Sequence, residues 1–491
     1  QPMITRIEID GFKTFKDFKV ELAPFQVIVG PNGSGKSNLF DALYFLSRLT
    51  ESDLATAFQA IRGYTNELFT KLPGGGSVDR MRFAVEMLVD RKVQDDFGRS
   101  AELKHTRLRY EVEITRETDA YGLEHLHIVH ESLKSIPANE DVWCKMYGLS
   151  QPNAWIPEPA DERVSFIDTH LEATAKGEVN DVPVDFMKPV ISLYPDGDSG
   201  NITSKYNAFE ILRTILSSKT NVEYPHIFAV NKELSSFKFL HLNPDSLRKS
   251  SPAVILHLSF LSPDGSNLPT VLERIRNEDK FAFHLVSLDM ANLVPGILKV
   301  YVTKKQASKE YEIWAETADQ RTISAKALSS GTLRLLALAT LRNDPQFRGL
   351  LCLEEPENGV DPLHLKNMAR LLQEMATDFN DPEQADEPLR QLFVTTYSPM
   401  FICLPEIIDS LLFAYTVTSV EPLSSGKPTL EITCMTPVVT THTQKRFDMD
   451  TNRDETMEIY TLDKILRYLD SEYLDEASKQ IEKARFALNE I

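Results

Sequence analysis

The stretch Phe25 to Leu39, FQVIVGPNGSGKSNL, constrains this chain more than any other. A short β-rich run, Phe25 to Val29, enters a glycine-rich turn from Gly30 to Gly35. A helical pattern leaves the turn at Lys36, with Leu39, Leu43 and Leu46 on one face. Strand, turn and helix in that order are the context that the phosphate-binding pattern GxxxxGK[ST] requires. Glycines let successive backbone N–H groups point into one concave nest without Cβ clashes. Asn32, Gly33, Ser34 and Gly35 form that nest, the helix adds its positive end, and Lys36 brings an ammonium to the β- and γ-phosphates. Ser37 is placed to put its hydroxyl on Mg²⁺, and Asn38 is grouped with the nucleotide-binding residues. A nucleotide site with Mg²⁺ is the expectation from this stretch alone.

With 491 residues the chain has room for about two to four structural units. The net charge of −19 argues against a surface coated for non-specific nucleic-acid binding, although one local basic groove would be invisible in the sum. Cys144, Cys352, Cys403 and Cys434 show neither metal-ligand spacing nor a pairing pattern, as expected in a reducing interior. No apolar run approaches bilayer length, and no signal-peptide pattern follows Met3, so the expectation is a cytoplasmic protein without a membrane partner.

Along the chain, Ile4 to Leu22 alternates well enough for two strands, separated by the turn GFKTFKD, Gly11 to Asp17. Met81 to Val89, Leu108 to Ile114 and Leu126 to Val129 read as further strands. His125 and His127 share a strand face, with His130 nearby, but no carboxylate–cysteine set completes a metal site. From Pro137 to Asp198 prolines and acids punctuate the chain without a sustained period, which predicts a surface insertion. Helical patterning returns at Phe209 to Leu216, Leu268 to Ile275 and Phe281 to Leu293, with no heptads long enough for a coiled-coil arm. Strands resume at Ile297 to Val302 and Tyr311 to Ala315.

A second group of motifs follows. ALSSGTLRLLALATLR, Ala327 to Arg342, is a serine–glycine turn opening an apolar helix, a geometry that binds phosphate through backbone amides. GLLCLEEPENGVDP, Gly349 to Pro362, opens as a strand buried on both faces and ends in two carboxylates, where open α/β sheets place their chemistry. Adjacent strand residues point oppositely, so Glu354 and Glu355 need not share a job: one can face Mg²⁺ and the other the water beside the γ-phosphate. A helix with Leu365, Met368, Leu372 and Met375 on its core face comes next, then the buried-strand pattern QLFVTTYSPMFI, Gln391 to Ile402.

IEIDGFKTF, the phosphate loop, DGSNLPTVLERI, LSSGT and EEPENG, in that order, resemble the ABC-class ATPases of the SMC/RecF group, in particular short-armed prokaryotic defence ATPases of the Septu PtuA and retron-associated type. The resemblance covers Met3 to Asp41 and Asn267 to Ile402. It implies an α/β fold: a P-loop NTPase head of the ABC type, its mixed β-sheet flanked by helices, with a helical/β insertion lobe. The expected divisions are 1–76 for the first part of the head, 77–266 for the insertion and lobe, 267–402 for the second part, and 403–491 for strands and amphipathic helices. The resemblance also implies that Leu328, Ser329, Ser330 and Gly331 bind the γ-phosphate of ATP held by a second subunit. Glu354 takes the metal-side position, Glu355 that of the water-activating base, and Asn358 to Asp361 the D-loop. Gln59 is the nearest candidate for the glutamine that meets Mg²⁺ and water, and Arg62 for a phosphate contact.

Two departures stand out. Glu354 is one methylene longer than the usual aspartate. Tyr397 stands where the family has a switch histidine; a histidine can carry charge near neutral pH, whereas a phenol is neutral until about pH 10. Slow hydrolysis follows, with ATP acting largely to hold a dimer or higher homo-oligomer together. About ninety residues remain after this motif. They carry two helical stripes, Leu462, Ile465, Leu466, Leu469 and Ala477, Ile481, Ala484, Leu488, and neither a Toprim-type acidic motif nor an HNH-type constellation. The expected partner is therefore a separate nuclease such as an HNH protein in an anti-phage system. The alternatives are a RecF-like ATPase clamping DNA, or a nucleotide-locked scaffold without turnover.

Overall fold

Phe25–Val29 is buried along its whole length because the strand has neighbours on both edges and a packed layer on both faces. The computed structural model describes residues 3–179, 182–194, 202–253, 260–420, 429–438 and 460–470, and places this strand inside a 6-stranded sheet. The order across it is Lys238–Leu240, Gly349–Glu354, Arg390–Thr396, Phe25–Val29, Leu411–Val420, Thr429–Pro437. All neighbours run parallel except the last pair, so the sheet is mixed. Alternate residues serve different cores. Ile28, Leu350, Cys352 and Phe393 enter one; Val27, Val29, Leu351, Leu353 and Val394 enter the other.

The first core holds the helix Lys36–Glu51, whose Leu39, Leu43 and Leu46 are buried as its periodicity requires. An 8-stranded antiparallel sheet closes that side, with Met3–Asp10 between Phe18–Glu21 and Arg80–Leu88. Phe45 of the helix packs on Phe12 and Phe83, so this sheet is joined to the phosphate-loop helix by aromatic contact. The second core gathers the helices Leu268–Glu278, Lys280–Leu293, Ser330–Asn343 and Pro362–Glu374 with the antiparallel pair Ile297–Lys305 and Glu310–Thr317. Arg274 and Asp344, both fully buried, bond through two nitrogens at 3.0 and 2.6 Å and pin two of its segments together. Among the described residues no helix is long and apolar enough to cross a membrane.

The structure corrects the expectation for Pro137 to Asp198. Where no regular period is expected, the second half of this stretch contributes Ser165–Val179 and Val182–Leu193, a long hairpin that extends the 8-stranded sheet. Asp168 and Glu172 pair with Lys134 and Lys205 of other strands of the sheet, and such charges interrupt the apolar alternation. Phe209 to Leu216 is likewise not one helix. It is a single 3₁₀ turn, Ala208–Glu210, and a short helix, Ile215–Ser218, each started by its own side-chain cap from Asn207 and Thr214. The histidine-bearing strand is Glu124–Ser135, where His125 lies 3.0 Å from Asp119. At the far end Ile465 and Leu469 are buried with Leu462 and Leu466 against the second core, while Ala477, Ile481, Ala484 and Leu488 lie outside the described residues.

Glu131 supplies a pH signature. Fully buried, it accepts the Ile215 and Leu216 N–H groups at 2.7 and 2.9 Å and the Tyr110 hydroxyl at 3.2 Å. Burial outweighs these bonds and pushes its carboxyl up to about 7. The native state therefore binds this proton more tightly than the unfolded chain. The associated stability is full below the unfolded value and is lost as pH rises through about 7. The span is about 3 kcal/mol. Glu131→Gln should flatten the fall in melting temperature between pH 5 and 8 relative to wild type; an unchanged slope would assign the pH dependence elsewhere.

Candidate nucleotide site

Parallel register brings the functional ends of the strands to one edge. Thr396 is opposite Val29, Glu354 opposite Thr395, and Leu240 opposite Leu353. The phosphate loop, the Glu354–Glu355 pair, Tyr397 and His241 all leave the sheet at its carboxyl edge, where α/β sheets bind ligands.

The loop from Gly30 to Gly35 is shaped by conformations open to glycine. Gly33 and Gly35 have φ of 81° and 93°, and Gly35 is the residue from which the helix Lys36–Glu51 starts. A Cβ on Gly35 would lie 2.1 Å from Thr433 Oγ1, and one on Gly30 would lie 2.3 Å from the Ala414 carbonyl oxygen. The two strands after the motif region thus clamp the loop from behind. Thr433 also meets Thr14 through a hydroxyl pair at 2.6 Å, and Thr14 accepts from Asn38 Nδ2 at 2.8 Å. Lys36 is buried, and its ammonium donates to the carbonyls of Gly30 and, at 2.7 Å, Pro31. Asn32, Gly33 and Ser37 face solvent. Ser34 is 2 % exposed, and its hydroxyl has no hydrogen-bond partner among the described residues. An orphaned buried hydroxyl, left-handed glycines and an ammonium folded into the loop suit a polyphosphate, which would give the Ser34 hydroxyl a partner. Ser37 and Glu354 are the residues that would hold Mg²⁺.

At the acidic end the structure revises the geometry. The strand stops at Glu354, and Glu355 adopts φ 44°, the left-handed region. The strand alternation expected to send the two carboxylates to opposite sides therefore does not apply. The backbone is held in this form, at a cost of order 1–3 kcal/mol, by the Glu355 N–H donating to Thr395 O at 2.9 Å. Asn358 Nδ2 donates to the Glu355 carboxylate at 2.7 Å and fixes its direction. Glu354 is one-third exposed, and its Oε2 lies 3.2 Å from His241 Nδ1. Glu357 is buried; it accepts from Thr396 Oγ1, its other oxygen has no partner among the described residues, and burial pushes it up to about 7. It ties the segment after Glu355 to the strand that ends in Thr396. Tyr397 is half-buried beside Ser398, the cap of the short helix Pro399–Ile402. Asp361 caps the helix Pro362–Glu374 through Leu363 N–H at 2.9 Å.

Ser329 caps the helix Ser330–Asn343 by accepting from Thr332 N–H at 3.1 Å. Gly331 is essential to its seat: a Cβ there would lie 2.5 Å from Gly359 O and 3.1 Å from Val360 Cα. The serine–glycine turn and the Asn358–Asp361 loop therefore form one surface. Gln59 is exposed on the helix Leu54–Ala60, and among the described residues no hydrogen bond joins it to Ser37 or Glu354. Arg62 sits 3.6 Å from Asp41, which also pairs with Lys13 at 2.5 Å. Sequence reasoning did not identify Thr14, Thr433, His241, Arg248 or Glu357. Their common signal is position: each is a polar residue at the end of, or against, an element carrying a motif.

The architecture is that of a P-loop ATPase head of the ABC class. Residues 3–60 match the RecF/RecN/SMC N terminal domain, and residues 193–402 match the AAA domain, putative AbiEii toxin, Type IV TA system; neither match spans half of the chain. Two separate stretches of the chain are thus similar to ATPase domains of the SMC/RecF and AbiEii types. Among curated proteins it is 39% identical over 66 residues to the chromosome partition protein Smc of Methanocaldococcus jannaschii, 13% of this chain and 6% of that one. It is 42% identical over 59 residues to the structural maintenance of chromosomes protein 4 of Caenorhabditis elegans, 11% and 4% of the two chains. The chain thus matches only a small part of these relatives' length. Solved structures include an SmcHead bound to the C-winged helix domain of ScpA, at TM-score 0.44, 14% identity and coverage of 89% and 98%. A Pyrococcus furiosus Smc head bound to the C-terminal domain of ScpA gives 0.43, 13%, 92% and 100%. At these scores the fold assignment rests on sheet order and loop geometry instead.

Proposed function

We propose that this chain is an ATP-binding, slowly hydrolysing ATPase that closes as a dimer around two nucleotides and thereby regulates a separate effector, a nuclease, in prokaryotic anti-phage defence. The supporting observation is the joint surface made by Ser329–Gly331 and Asn358–Asp361. Gly331 packs directly on Gly359, so a nucleotide reaching the serines from another copy also meets the loop that positions Glu355. The match of residues 193–402 to an AbiEii-type domain supports the defence setting.

In this reading Gly33 to Lys36 bind the phosphates, and Ser37 and Glu354 orient the metal. Glu355, steered by Asn358, accepts a proton from the attacking water. Mg²⁺, when bound, supplies charge neutralisation across the β- and γ-phosphates. Closure then follows from contacts available only in the two-subunit state, which shift the open–closed equilibrium. Light scattering during size-exclusion chromatography with ATP, with ADP and without nucleotide tests it: the dimer should appear with ATP alone. A Glu355→Gln protein that binds ATP and stays monomeric would overturn the reading.

Tyr397 sets the rate. A phenol offers the γ-phosphate one hydrogen bond and no charge, so Tyr397→His should raise steady-state turnover by roughly ten-fold, about 1.4 kcal/mol of added transition-state stabilisation. An unchanged or slower rate would show that Tyr397 does not stand in for a histidine.

A further inference from the structure

Arg248 lies outside every motif described above, yet it reaches the serine–glycine turn. It follows the four-residue helix Pro244–Leu247, started by Asn243, which accepts from Asp245 N–H at 2.8 Å. Its Nη2 lies 3.2 Å from Ser330 Oγ and 3.4 Å from Leu328 O; its Nη1 donates to Asp245 at 3.0 Å. Asp245 is 89 % exposed, so that ion pair is weak and leaves the guanidinium to be held mainly by the turn.

The direction of the Ser330 bond matters. A guanidinium only donates, so Ser330 Oγ must accept. With that lone pair taken, the hydroxyl hydrogen points away from Arg248. Ser330 then presents a donor at the helix start, where the partial positive charge favours an anion. The bond to Leu328 O holds the residue before the cap in the same frame. Seven residues upstream of Arg248, His241 touches Glu354. One short stretch of chain therefore runs from the metal-side carboxylate to the turn that faces a second subunit.

We propose that Arg248 is a positioning residue acting in trans: through Ser330 it completes the site for the γ-phosphate of ATP bound at Lys36 of another copy of this chain. The inference rests on the dimeric reading above. It predicts that Arg248 and Ser330 work as one unit.

The test compares Arg248→Ala, Ser330→Ala and the double variant in the full chain. Nucleotide binding is followed by titration at sub-association protein concentration, and ATP-driven dimerisation by sedimentation. Each single variant should weaken dimerisation by about ten-fold or more, and the double should be no worse than the more severe single. The loss should fall on association rather than on binding. Mixing Arg248→Ala with Lys36→Ala should restore a dimer holding one nucleotide, since the mixed pair rebuilds one site from Lys36 of the first and Arg248 of the second. Arg248→Gln serves if the alanine variant does not fold. Effects of Arg248→Ala and Ser330→Ala that multiply, an Arg248→Ala protein that dimerises like wild type, or mixtures that fail to complement would each overturn the proposal. Wild type that binds ATP without dimerising would instead overturn the dimeric reading itself.

Discussion

Lys36→Ala should lower ATP affinity by about 10²-fold or more, the largest binding effect expected of any single change. The ammonium is already inside the loop, held by the Gly30 and Pro31 carbonyls, so little reorganisation is needed for it to meet phosphate. Charge-assisted bonds from lysine contribute roughly 1.5–3 kcal/mol each, and two of them account for the predicted factor. The carbonyls that lose their donor are backbone groups of a loop clamped by Ala414 and Thr433, so the loop should keep its shape. Isothermal titration with ATP in the presence of Mg²⁺ measures the loss, and a thermal melt separates it from unfolding. Lys36→Met, which keeps the stem, should behave alike. Affinity within a few-fold of wild type in both variants would mean that phosphate binds elsewhere.

This part of the site was legible because its physics is local. Gly33, Gly35 and the helix start are neighbours in sequence, and their backbone demands appear directly as residue types. The buried runs Gly349–Glu354 and Arg390–Thr396 were equally readable, since strands covered on both faces must be apolar throughout. What lay hidden depends on distant pairing. Nothing in the sequence says that Thr433 backs Gly35, because the contact needs Leu411–Val420 and Thr429–Pro437 to add beside Phe25–Val29. The left-handed Glu355 was hidden for another reason. Non-glycine residues reach that region only when their surroundings impose it, here through Thr395 and Asn358. The hairpin Ser165–Val179 and Val182–Leu193 escaped because its buried apolar residues, among them Phe166, Ile167, Ile191 and Leu193, are interrupted in sequence by charged residues such as Asp168 and Glu172, which breaks the alternation.

The acidic cluster shows how environment divides similar groups. Glu354, Glu355 and Glu357 stand within one short segment, yet only Glu357 is buried, with its carboxyl pushed up to about 7 and one oxygen bonded to Thr396. Its place is structural: it fastens the segment to the strand that delivers Tyr397. Arg334, on the helix that begins at Ser330, is drawn to both Glu357 and Glu355, so the serine-turn helix shares their field.

Glu355→Gln should cut hydrolysis by about 10²-fold or more while leaving ATP binding in place, because a positioned general base contributes that much to water attack. The amide keeps the size of the side chain and an oxygen that can still accept from Asn358 Nδ2, so the local backbone should hold its left-handed turn. Removing the negative charge also removes repulsion toward the γ-phosphate, which favours the ATP-bound closed state. The variant should therefore accumulate as a dimer at ATP concentrations where wild type cycles back to monomer. Single-turnover hydrolysis and light scattering on the same sample read both effects. Hydrolysis at the wild-type rate would move the base to another carboxylate, and Glu357 is the poorer candidate, since its side chain is buried and one oxygen is taken by Thr396 Oγ1. Loss of hydrolysis without dimer accumulation would leave Glu355 as the base and make the nucleotide a substrate only, with no part in holding two copies together.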